Sequence, residues 1–330
     1  MYEVRRFSDL SSLPDEEFYA MLAQGLSITA AHVARLSESI RRSAKARDET
    51  AAEILESIAS EEVGKFLILV DAARMDLTGT KEHLHRQLKR CSNHLAKALY
   101  FKSATGAPAS FGELRRFLDS YRDDLYLDGP SGFDWIFRNE LIALREDAMY
   151  VDLHKTEDSL SWHDPGSRLI GTSSWDEPQP FILVSALAAA GVPTAAGLEI
   201  VNTVWKGFIP HDDPTDRFGG TRWSEGHQLA KETLLALANA GLAGELSERQ
   251  EQILLAEWTF PIHGLDLDGR KVRPAALARE RALRRRAFVW DEADYDSVTR
   301  EMFDAYDFAE TMSYESFYDA QRAKFFEIDD

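Results

Sequence analysis

Apolar positions recur along most of this chain at three- and four-residue intervals, the period of helices packed on one face, and rarely at the two-residue period of strands. Pro14, followed by Asp15 and Glu16, opens a first pattern running through Met21, Leu22, Ile28, Val33, Leu36 and Ile40. From Glu49 to Met75 a second pattern sets Ala51, Ile54, Leu55, Ile58, Ala59, Phe66, Leu69 and Ala73 on one arc, taking about 100° per residue. A third, Lys81 to Lys102, aligns Leu84, Leu88, Cys91, Leu95 and Leu99, with His83, Arg90, His94 and Lys97 on the adjoining stripe. The short segment from Asp76 to Thr80 predicts that these two helices lie antiparallel. A short helix over Ser110 to Leu118, a turn region over Tyr121 to Ser131 and a helix over Phe133 to Val151 complete the first half.

The stretch from His154 to Pro180 is polar and rich in Gly, Ser and Pro, the composition of a domain boundary. Beyond it, helices are predicted over Phe181 to Ala190, Ala195 to Trp205, Gln228 to Ala240, Ser247 to Trp258, Pro274 to Trp290 and Tyr295 to Phe326. A loop covers Pro210 to Gly226. Ser247 and Gln250 have the spacing of a capping box. Phe260 to Val272 is a candidate hairpin around Asp268 and Gly269. The fold class expected is therefore all-α, with one helical domain over residues 1–165 and a second, mainly helical domain over 166–330.

On the second helix Glu62 points out of the middle of the apolar arc, with Lys65 at its edge. A carboxylate there needs a cation, water or a proton, since burying it alone costs several kcal/mol. The basic stripe of the next helix offers His94, Lys97 and Arg90. Complementary charges on facing helices predict a polar pocket built on Glu62, His94 and Lys97. Two plainer readings stand beside it: His94 as an interior histidine satisfied by Glu62, and Lys65 with Lys97 as neutralisers of Glu61 and Glu62. Gly64 permits close helix approach under either. Arg145, Glu146, Tyr150 and Asp152 read as a polar network closing the bundle.

Composition narrows the partners. The chain has 330 residues, 44% of them hydrophobic, and a net charge of −18 that disfavours binding nucleic acid over its whole surface. Basic contacts must be local. Arg270 to Arg286 holds eight basic residues against one acid, and Asp291 to Asp330 holds thirteen acids against three basic residues, so the two segments can neutralise each other. There is no apolar run of about 18 residues and no signal-peptide pattern, which predicts a cytoplasmic protein that does not enter a membrane. The single cysteine, Cys91, sits at an apolar helix position and reads as core.

The run Ser57-Ile-Ala-Ser-Glu-Glu-Val-Gly-Lys-Phe-Leu67, then Asn93-His-Leu-Ala-Lys97, then Leu144-Arg-Glu-Asp-Ala-Met-Tyr-Val-Asp152 resembles, in order and spacing, the AbiV family. These are bacterial abortive-infection proteins of the HEPN class, and the resemblance covers about residues 10–165. It implies a HEPN-like helical bundle, paired as a homodimer, that senses a phage trigger protein and arrests growth or translation of the infected cell. Many HEPN relatives are ribonucleases that need no metal or cofactor and use an Arg and a His with four to six residues between them on one helix. Carried onto this chain, His94 is the proton-transfer group, Arg90 steadies phosphate charge and Glu62 orients them, while Lys65, Lys97 and Arg86 are candidate phosphate or RNA contacts. Arg90 and His94 have only three residues between them, and Lys89 fills the four-residue spacing. The alternative is a non-catalytic binding module that senses a phage protein or binds the ribosome.

A second cluster, His211-Asp-Asp-Pro-Thr-Asp216 with Arg222, Glu225 and His227, combines oxygen and imidazole ligands that suit a divalent metal. It matches no metal motif, and the same residues make ordinary surface loops, so no metal site is assigned.

Overall fold

The computed structural model describes residues 6–77, 81–126, 137–155, 160–163, 165, 175–211 and 221–271. Those residues are mostly helical, as the all-α expectation requires. In chain order the helices are α1 (Asp15–Lys45), α2 (Glu49–Ala73), α3 (Lys81–Lys89), α4 (His94–Ser103), α5 (Phe111–Asp119), α6 (Glu140–Met149), α7 (Gln179–Ala189), α8 (Ala195–Trp205), α9 (Trp223–Asn239) and α10 (Glu248–Glu257). Five short strands accompany them: β1 (Asp123–Tyr126), β2 (Phe137–Asn139), β3 (Asp152–Lys155), β4 (Leu160–His163) and β5 (Arg270–Lys271). No helix among the described residues is long and apolar enough to cross a membrane.

Local chemistry sets the helix boundaries. Three acids fill the first turn of α1 and Arg42 and Lys45 its last, complementing the helix dipole at both ends. Arg47, at φ 59°, turns the chain, and the Asp48 carboxylate caps α2 by accepting from Ala51 N–H at 3.1 Å. Ser110, Thr194 and Ser247 cap α5, α8 and α10 in the same way, and Ser247 forms a complete capping box with Gln250.

The chain divides into two compact units. The first comprises Met1–Arg122 and Leu141–Asp268. At its centre lies α2, packed against α1, α3, α4, α7 and α8. From Phe66 to Ala73 every residue of α2 is buried, so the C-terminal end of the helix has no exposed face. Trp205, Tyr100, Phe18, Phe66 and Phe181 are the bulkiest fully buried side chains of a core that draws on helices from both sides of residue 165. The expected division into 1–165 and 166–330 therefore differs from the grouping seen: α7 to α10 share the core of α1 and α2, because α7 offers Phe181, Ile182, Leu183 and Val184 in succession, too much apolar surface for a separate face. β3 and β4 form an antiparallel hairpin in this unit.

The second unit, Asp123–Glu140 with Gly269–Asp330, contributes a small sheet in which β1 pairs antiparallel with β2 and parallel with β5. Two expectations change here. The helix expected over Phe133 to Val151 begins only at Glu140, since 137–139 is taken into the sheet, and Arg270–Lys271 pairs with β1 instead of forming a hairpin with residues just before it. The helices expected over Pro274 to Trp290 and Tyr295 to Phe326, and the acidic C-terminal stretch, lie outside the described residues.

Candidate functional site

The pattern from Lys81 to Lys102 predicts one continuous helix; the chain makes two. After α3, Arg90–Ser92 tightens into a 3-10 turn and Asn93 becomes extended, at φ −102° and ψ 118°. Its side chain accepts from Ala96 N–H at 3.1 Å and starts α4 afresh, with His94 as the first helical residue. Arg90 and His94 consequently do not share a helical face. The guanidinium of Arg90 turns the other way and ties down a distant loop, donating to the carbonyls of His263 at 3.0 Å and Leu265, and to Gln87 Oε1 at 2.8 Å.

What His94 meets is α2, at Glu61. Its Nδ1 lies 2.6 Å from Glu61 Oε1. On the same oxygen, also at 2.6 Å, sits Nε of Arg145, from α6. The second oxygen, Oε2, accepts from Lys97 Nζ at 2.5 Å. One carboxylate thus gathers three basic groups from two other helices. Burial alone drives the Glu61 carboxyl up, but hydrogen bonds and charge from Lys97 and His94 outweigh it and hold the group below its usual range, so it is ionised at neutral pH. A carboxylate only accepts, so Nδ1 is the protonated ring nitrogen, and Nε2 makes no hydrogen bond among the described residues.

The close fit of α2 and α4 depends on Gly64. A Cβ added there would stand 2.0 Å from the Lys97 carbonyl oxygen, so the helices cross where only glycine leaves room. Lys97 then lies along the contact with 8% of its side chain exposed, whereas the His94 side chain is 49% exposed. Lys97 is a structural neutraliser, and His94 is the accessible member. The cavity beside it has a volume of about 410 Å³, with Ser57, Ser60, Phe101, Ile142 and Arg145 on its walls. Glu56 also lines it, its carboxyl raised by burial first and by neighbouring Glu53, and lowered only in part by Trp175.

Of the six residues singled out in the sequence, two enter this cluster, His94 and Lys97. Glu62, expected to be the partner of His94, instead pairs with Lys65 one turn along the same helix, at 2.5 Å. It yields to Glu61 because α2 is surrounded, so that adjacent residues rather than a single arc face neighbours. Arg86 and Arg90 face a different cavity. Arg145, read from sequence as part of a closing network, is the basic group that joins His94. Its signal was present in the Leu144-Arg-Glu-Asp run, but nothing local to that run names its partner.

Two other sequence candidates resolve simply. Cys91 is buried and its thiol is pushed up to about 12, as befits a core residue. His227 turns Nδ1 to the Leu255 carbonyl at 3.1 Å and stacks on Trp223, while His211 Nδ1 lies 3.2 Å from Thr221 Oγ1. Residues 212–220 lie outside the described residues, and no group of three or more His, Cys, Asp or Glu gathers at metal-binding distance among the described ones. No protein-family model, curated protein or solved structure matches this chain.

Proposed function

We propose that His94, Glu61 and Arg145 form an acid–base site that cleaves RNA without a metal or cofactor. The observation carrying this reading is the shared oxygen: Glu61 Oε1 holds the His94 ring and the Arg145 guanidinium side by side at the mouth of a cavity, with Nε2 of the imidazole left for a substrate. Glu61 fixes the tautomer and orientation of the ring, the part a carboxylate plays for many catalytic histidines. Nε2 accepts the proton of a ribose 2′-hydroxyl. The 2′-oxygen then bonds to phosphorus as the P–O5′ bond breaks, and the departing O5′ takes a proton from water or from the imidazolium, giving a cyclic phosphate and a 5′-hydroxyl end. Arg145, whose Nε is held on the same Glu61 oxygen, steadies the phosphate oxygens as charge moves onto them.

In this reading the arginine comes from another helix, so the spacing between Arg90 and His94 is immaterial. The resemblance to abortive-infection proteins supplies the setting: a cytoplasmic homodimer that stops translation or growth once a phage protein is sensed. A second reading has its own observation. A carboxylate already neutralised by three basic groups also serves as a tie between helices, which suits a binding module that docks on a phage or ribosomal protein. Incubating the purified chain with tRNA and ribosomes, in chelator and with and without phage lysate, separates the two. Cleavage that falls by a factor of about 10² or more in His94→Ala and Arg145→Ala supports the enzyme. Growth arrest on expression with RNA intact, unchanged in His94→Ala, supports the binder.

A further inference from the structure

The larger cavity of the first unit, about 990 Å³, lies on the other side of the Asn93 break and contains neither His94 nor Arg145. α3 contributes His83, Arg86 and Lys89 to its walls, and Lys206, following α8, adds a further cation. On an acidic chain such a collection is unexpected, and its ion pairing is sparse. Lys89, Lys206 and His83 have no acidic partner among the described residues, and Arg86 has only Glu82, at 3.4 Å in a largely exposed pair. Arg90 is bound to carbonyls and Gln87, which fix its position, and it also feels the charge of Asp266. The wall also carries Asp76, Asp266 and Asp268, but Asp266 is taken by Arg122.

A wall rich in cations is complementary to an anion with several acceptor oxygens. Part of the remaining lining is apolar. Phe208, held edge-on against Trp205 with ring centroids 5.7 Å apart, gives a fixed aromatic surface, and Leu265 and Leu267 extend it. Cations drawn from separate elements around one open cavity suit a compact run of phosphates, and an apolar wall next to them suits a base.

We propose that this cavity binds a nucleoside polyphosphate, at a site separate from the Glu61 cluster and independent of what that cluster does. The test is calorimetric titration of the full chain with ATP, GTP and inorganic tripolyphosphate, and with a 12-nucleotide RNA, at fixed salt. A nucleotide should bind at one site per chain, more tightly than tripolyphosphate. The double variant Lys89→Ala/Lys206→Ala, which removes two exposed side chains, should weaken it at least tenfold with an unchanged melting temperature. His94→Ala should bind as the parent does, so that failure at one site is not mistaken for failure at the other. Absence of nucleotide binding, binding undiminished in the double variant, tripolyphosphate as tight as the nucleotide, or RNA binding where nucleotides do not would each overturn the proposal.

Discussion

Glu61 and Asp71 lie on the same helix, and each collects basic or donor groups from several elements, yet they serve different ends. Asp71 is sealed: it accepts from Arg74 at 3.0 Å, from Tyr100 Oη at 3.0 Å and from Ile262 N–H at 2.8 Å, all of them buried. Arg74 is clamped between the rings of Trp205 and Trp258, 3.6 and 4.6 Å from their centroids, and donates to the Trp258 carbonyl. The phenol of Tyr100 is driven well above its ordinary range, by burial first and by the Asp71 charge second. Asp71, the Tyr100 hydroxyl and the terminal nitrogens of Arg74 all find their partners inside the protein. Around Glu61 the same kind of carboxylate holds a ring that is half in solvent and has one nitrogen to spare. Access, and not the inventory of charges, separates a brace from a site.

Removing a cation should therefore cost far more at Asp71 than at Glu61. Arg74→Ala leaves a buried carboxylate without its ion pair and should destabilise the chain by about 3–5 kcal/mol in a denaturant titration; a loss below about 1 kcal/mol would erase the distinction. Gly64→Ala, which forces a methyl against the Lys97 backbone, should cost about 2–3 kcal/mol, and should also disturb His94, visible as a shift of its ring resonances.

A third carboxyl sharpens the contrast. Glu257 is buried, its Oε2 has no partner among the described residues, and no cation attends it, so burial, only slightly opposed by the Gly106 backbone, pushes it up to about 7. Because that value lies above the usual 4.5, the stability it contributes is complete below pH 4.5 and lost as pH rises through 7. Between pH 5 and 8 the parent should lose about 2 kcal/mol more than Glu257→Gln. Parallel stability curves for the two would show that this carboxyl is not held protonated by the fold. The smallest effect on stability belongs to His94→Ala. With its side chain half exposed, the pair with Glu61 is screened and should contribute under about 1 kcal/mol, while the RNA cleavage proposed above should be lost. A large stability loss at His94 would make it one more brace.

The sequence makes much of this fold readable, and for stated reasons. The α2 and α8 patterns, the Ser247 capping box and the core position of Cys91 all follow from local spacing and local hydrogen bonding. The break at Asn93 escapes a periodicity argument, because Leu84, Leu88, Cys91, Leu95 and Leu99 keep helical spacing straight across it and remain buried on both sides. Glu61 escapes for a different reason. A helical wheel assumes one buried face, and α2 has neighbours on several. Arg145 is joined to Glu61 only by tertiary packing, since it lies on α6, beyond a small sheet assigned to another unit. The meeting of His94 and Lys97 with an acid of α2 was legible because both fall on the stripe facing that helix; the acid was legible only to within one position.

The extended residue at Asn93 has a mechanical consequence. An unbroken helix would swing Arg90 and His94 as one rigid rod; the fresh start uncouples them, so that the arginine is committed to the 263–265 loop while the imidazole is aimed independently at Glu61.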